Sequence, residues 1–129
     1  MDSSPAPLLV IEDNPADLRL LVELLREEAP GSFEIHPACR LSEGIAALRS
    51  RSFEAILLDL SLPDGQGLDL IDAVREEAPG VPILVLSGVL DRELVTDARM
   101  HGAAGCFIKG CETIHDLVCA IRCLELRSD

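Results

Sequence analysis

A doubly wound α/β fold, five parallel strands alternating with five helices as (βα)5, is the class this sequence predicts, and three observations carry it. Continuous apolar runs stand at residues 8–11, 55–58 and 81–86, and runs without polar alternation suit strands covered on both faces. Between them, apolar residues recur at three- and four-residue spacing, which marks helices with one buried face. Each run also ends at a polar residue, most plainly in residues 54–71, EAILLDLSLPDGQGLDLI, where Asp59 closes the run and Pro63, Asp64 and Gly65 turn the chain. Parallel sheets bind ligands at the carboxyl ends of their strands. Asp59 is therefore the first candidate for chemistry, against the plainer reading of an acid that forms a turn or caps a helix.

The elements follow in order. Residues 8–11 form a strand that ends at Glu12 and Asp13. Asn14 and Pro15 then supply a helix cap and a proline at the first helical position, and Leu18, Leu21, Val22 and Leu25 follow at helical spacing up to about Ala29. Residues 33–36 alternate apolar and polar, which suits an edge strand, and Ile45, Ala46 and Leu48 suggest a short helix over 42–49. After the central strand, Leu68, Leu70, Ile71 and Val74 make a helix ending in VREEAPG, which nearly repeats LREEAPG at 25–31. The repeat reads as two similar helix-to-strand junctions. Residues 81–86 are the next strand, ending at Ser87; Asp91 caps a helix through Leu94, Val95 and Ala98 to about His101. Residues 106–108 are the last strand, ending at Lys109, and Ile114, Leu117, Val118 and Ile121 face the core from a final helix begun at Thr113. Right-handed crossovers make the strands parallel, and strand order 2-1-3-4-5 accommodates them.

Composition narrows the function classes. At 129 residues with 48% hydrophobic content the chain suits one domain, with tails at 1–7 and 127–129 around a domain over 8–126. Its aromatics are three Phe with no Trp or Tyr, so the core is aliphatic. A net charge of −12 argues against direct binding to nucleic acid or to anionic membranes, both of which need positive surface. No signal peptide or membrane span is evident, and the expectation is a cytoplasmic protein. The five cysteines, Cys39, Cys106, Cys111, Cys119 and Cys123, are odd in number and lack a C-x-x-C pair, so they are read mainly as small buried hydrophobes rather than as disulfides or a zinc site.

Parallel strands gather Glu12, Asp13, Asp59, Ser87 and Lys109 on one rim. Crowded carboxylates need a cation to stay ionised. Magnesium, a hard ion that takes oxygen ligands, fits two carboxylates and a backbone carbonyl near Ser61. Lys109 and the Ser87 hydroxyl supply a charge and a donor for a phosphoryl group, with Asp59 as the nucleophile that takes it as a mixed anhydride. Each residue alone has a plainer role: a dipole partner for Glu12 or Asp13, a turn for Ser87, a solvated charge for Lys109. Their joint occurrence at four strand ends favours the phosphoryl site.

On these residues the chain resembles the receiver domain of two-component response regulators, flavodoxin-like in fold, over nearly its whole length. The matching features are the acidic pair Glu12-Asp13, the acceptor Asp59 with Pro63 and Gly67 behind it, Ser87 after strand four and Lys109 after strand five. The resemblance implies that Asp59 takes a phosphoryl group from a phosphohistidine on a sensor histidine kinase or histidine phosphotransfer protein. It also implies that Asp13, Asp59 and the Ser61 carbonyl bind magnesium, with Glu12 acting mainly through water, and that Ser87 closes on the phosphoryl group as a switch. Ser61 and Val89 would tune its lifetime. Two positions depart from the family: Cys106 stands where receivers usually carry Tyr or Phe, and Gly110 where many carry proline. Phe107 points to the opposite strand face and is assigned to the core.

Cys119, Cys123 and Leu126 form a second stripe on the last helix, opposite its core face. With Cys106, Ser87 and the helix after strand four, this face is expected to meet an output domain or a second copy; the plainer reading is a small apolar patch near the terminus. The expected function is a phosphorylation-dependent signalling module that acts on no outside substrate. The alternatives are a phospho-independent scaffold of the same fold and a phosphatase with an aspartate nucleophile, which would need an acid where Ser61 stands.

Overall fold

The computed structural model describes residues 4–110 and 113–127. Elements alternate along the chain as β1 (Ala6–Ile11), α1 (Pro15–Glu28), β2 (Phe33–Ala38), α2 (Leu41–Ser50) and β3 (Ala55–Asp59). A two-residue hairpin follows, β4 (Ser61–Leu62) and β5 (Gly65–Gln66), then α3 (Asp69–Glu77), β6 (Ile83–Ser87), α4 (Arg92–Met100), β7 (Gly105–Ile108) and α5 (Ile114–Arg127). The main sheet is parallel throughout and ordered β2-β1-β3-β6-β7. That is the expected 2-1-3-4-5 with the antiparallel hairpin β4-β5 inserted after the central strand.

The continuous apolar runs are buried as expected: Leu8 to Ile11 and Ala55 to Leu58 are at most 1% exposed. Their side chains divide by strand alternation. Leu9, Ile11, Ile56, Leu58, Ile83 and Val85 face α2, α3 and α4, whereas Leu8, Val10, Leu57, Leu84 and Leu86 face α1 and α5. The edge strand β2 alternates less and admits Pro37, which a strand with one unpaired edge tolerates. Phe107 packs with the α1/α5 layer and Cys106 with the other, so the assignment of Phe107 to the core is met.

Local chemistry sets the helix ends. Asn14 Oδ1 accepts the amides of Ala16 and Asp17, and Asp91 Oδ1 accepts that of Leu94, both N-caps as read from sequence. The two EEAPG segments build one junction twice: Ala29 and Ala78 share φ near −140° and each amide bonds back four residues, to Leu25 and Val74. Helix α2 keeps Leu48 of its expected face but not Ala46. It packs through Leu41, Gly44, Ala47 and Leu48, while Ala46 is exposed. Gly44 lies so close to the sheet that a Cβ there would stand 2.5 Å from Ile11 Cδ1. The absent side chain sets the orientation, a signal invisible to a count of apolar residues.

The cysteine reading needs correction. Cys39, Cys119 and Cys123 are exposed and Cys106 is half-buried, all as free thiols. On α5 the positions 119 and 123 fall on the outer face, because Ile114, Leu117, Val118 and Ile121 occupy the buried one. Cys111 lies outside the described residues, as does the side chain of Leu126.

Candidate functional site

Register brings the strand ends together. Asp59, the last residue of β3, pairs with Leu86 of β6, and Ser87 pairs with Ile108 of β7. The chain stays tied one residue past the strands: the Glu12 amide donates to Ala38 O at 2.9 Å and the Lys109 amide to Ser87 O at 2.9 Å. One cleft is therefore lined by Glu12, Asp13, Asp17, Asp59, Ser61, Ser87 and Lys109.

Glu12 and Asp59 are the two buried ionisable groups among the described residues, 2% and 6% exposed, while Asp13 is exposed. Oxygens of Glu12, Asp13 and Asp59 lie within 4.8 Å of one another. Burial, reinforced by the Asp59 carboxylate, pushes the Glu12 carboxyl up to about 7 against the opposing pull of Lys109 and the Asn14 amide. The Lys109 ammonium lies 2.7 Å from Glu12 Oε1, 3.0 Å from Asp17 Oδ2 and 3.1 Å from Asp59 Oδ2. Burial works against its charge, but hydrogen bonds to these three acids prevail and raise its affinity for the proton. Lysine thus supplies part of the compensating charge. The three-carboxylate cluster, all hard oxygen donors with one acid destabilised by its neighbours, fits a magnesium ion.

The Ser61 amide donates to Asp59 Oδ1 at 3.2 Å, fixing that carboxylate's orientation from the start of β4. Ser87 lines the cleft, but its hydroxyl donates to Val89 O at 2.7 Å within its own turn. Gly67, at φ 74°, closes the hairpin by donating to Leu60 O at 2.8 Å. Cys106, Cys119 and Cys123 lie away from the cleft lining. Burial pushes the Cys106 thiol up, opposed by Arg99. Sequence reading missed Asp17. The available signal was its place in the first turn of a helix that starts where β1 ends, which sets that turn over the same rim.

Similarity to known proteins agrees with this geometry. Residues 8–122 match the family model for the response regulator receiver domain. The probable transcriptional regulatory protein TcrX of Mycobacterium tuberculosis is 30% identical over 129 residues, covering 98% of this chain and 53% of that protein. The nitrate/nitrite response regulator protein NarL of Escherichia coli is 34% identical over 111 residues, covering 86% of this chain and 51% of that protein. The chain thus spans about half the length of these two relatives. Among solved structures, a response regulator receiver domain protein from Clostridium thermocellum superposes with TM-score 0.81 at 25% identity, covering 95% of this chain and 96% of its own. The receiver domain protein from Methanospirillum hungatei gives 0.79 at 22%, covering 96% and 99%. Fold, cleft and sequence agree: the chain belongs to the response regulator receiver domains of two-component systems, a family whose general function is phosphorylation-dependent signalling.

Proposed function

We propose that Asp59 accepts a phosphoryl group from a phosphohistidine on a sensor histidine kinase or histidine phosphotransfer protein. The observation that carries this reading is the buried Asp59 carboxylate held against Lys109 at 3.1 Å inside a cluster of three acids. An Asp59 oxygen attacks phosphorus, the P–N bond breaks, and the imidazole leaves with a proton from solvent. Asp13, Asp59 and the Ser61 carbonyl would hold magnesium, with Glu12 beside them. When bound, the ion supplies positive charge to the phosphoryl oxygens. Lys109 neutralises further charge, and the Ser61 amide keeps the attacking carboxylate oriented.

Ser87 must give up its Val89 partner to donate to a phosphoryl oxygen, and that exchange would draw in the loop before α4. The domain would catalyse its own phosphorylation and dephosphorylation in the cytoplasm and act on no outside substrate. With Cys106 where the family usually has an aromatic ring, the switch would be read through α4, β7 and the outer face of α5, at Cys106, Cys119, Cys123 and Leu126, by an output domain or a second copy.

Intact-protein mass after incubation with acetyl phosphate and magnesium tests the reading. One phosphoryl adduct is expected, lost on chelation and in Asp59→Asn. No adduct from any small donor, together with undetectable magnesium binding, would favour the phospho-independent scaffold.

A further inference from the structure

The Lys109 ammonium donates to Asp17 and Asp59 at 3.0 and 3.1 Å and forms an ion pair with Glu12 at 2.7 Å. Two of these belong to the oxygen cluster suited to a cation. A cation there draws on the same carboxylates that now face the ammonium. Asp17 stands outside that cluster, on the first turn of α1, with its side chain 41% exposed. Its turn is already closed by the Asn14 side chain, which accepts the Ala16 and Asp17 amides, so the Asp17 carboxylate is not needed as a cap. A lysine is a compact charge on a flexible stem and needs an anchor to present its donors in one direction.

We propose that Asp17 is a positioning residue for phosphoryl transfer: it holds the Lys109 ammonium at the cleft when a cation engages Asp59 directly and Glu12 through water. The proposal rests on the reading of Asp59 as phosphoryl acceptor. Glu12 and Asp59 pass to new partners as the reaction proceeds, whereas Asp17 keeps its contact, so the lysine reaches the incoming phosphoryl oxygens from a fixed point. The plainer role, an acid that favours the helix dipole, would leave the chemistry unaffected.

The test compares the native chain with Asp17→Ala and Asp17→Glu at saturating magnesium and acetyl phosphate, following the adduct by intact mass. Asp17→Ala is expected to form the adduct about tenfold more slowly at its maximum rate, with a magnesium dissociation constant by calorimetry within about twofold of native. Asp17→Glu should recover most of the rate. In the magnesium-loaded protein without donor, the Lys109 ammonium signal by nitrogen-15 NMR should be sharp in the native chain and broadened by exchange in Asp17→Ala. An unchanged rate in Asp17→Ala, a loss explained wholly by weaker magnesium binding, or no recovery in Asp17→Glu would overturn the proposal. If the native chain forms no adduct, the acceptor reading fails instead, and the ammonium signal alone decides whether Asp17 anchors Lys109.

Discussion

Glu12 carries the main electrostatic strain of the cleft, because burial and the Asp59 carboxylate oppose its ionisation up to about pH 7. A neutral isostere removes that penalty while keeping an oxygen for the Asn14 amide and Lys109. Glu12→Gln should therefore raise metal-free stability at pH 8, by on the order of 1 kcal/mol in urea unfolding, and weaken magnesium binding in calorimetry. A less stable metal-free variant would contradict this account of the acid. Most of the cleft was legible from sequence, since Glu12, Asp59, Ser87 and Lys109 each directly follow an apolar run, Asp13 follows Glu12, and parallel strands align those ends. Side-chain partners were not legible. Which acid reaches Lys109 depends on helix placement over the rim, which hid Asp17, and the Ser87 hydroxyl's turn toward Val89 is a choice among rotamers that composition does not encode.

Elements meet through a few specific contacts. Helix α2 has no side-chain cap of its own at Arg40. Instead Asp64, at the tip of the hairpin after Asp59, accepts the Leu41 and Ser42 amides at 2.7 and 3.0 Å. Those amides hold its carboxyl below the usual range, so its contribution is present above the unfolded value near 3.8 and fades as pH falls through the lower folded one. The His115–Glu28 contact at 2.8 Å between α5 and α1 has the opposite sign. Its imidazole is raised by the Glu28 hydrogen bond, so its contribution is full below the unfolded value near 6.5 and lost as pH rises through the folded one. His115→Gln should lower Tm at pH 6 and converge with the native chain in alkaline buffer; a gap that widens with pH would refute the assignment. At the α2–sheet contact, Gly44→Ala should cost about 1–3 kcal/mol by overpacking. Ile11→Val removes the clashing Cδ1 and should recover part of that loss, a coupling visible in a double-mutant cycle. Strand and helix positions followed from periodicity, but the packing face of α2 did not, because a glycine's closeness to Ile11 is a tertiary fact.

For the whole molecule, five parallel strands buried between two helical layers form a rigid frame whose one open rim holds the acids. The frame's stability is linked to that rim. If magnesium binds the folded state alone, a concentration about 100 times its dissociation constant should add about 2.7 kcal/mol to unfolding stability. Asp13→Asn should abolish most of that gain, as measured by chemical denaturation with and without chelator. Strand order was legible because crossover helices and buried central runs leave few topologies; the small hairpin after Asp59 was not, since two-residue strands lack periodicity. On the proposed reading Asp59 itself becomes the acyl phosphate. Borohydride reduction of the phosphorylated chain followed by peptide mass mapping locates it, because an aspartyl phosphate is reduced to homoserine. Homoserine is expected at position 59 and at no other aspartate, dependent on magnesium. Homoserine at position 13, 17 or 64, or phosphate retained on a serine or histidine, would contradict that reading.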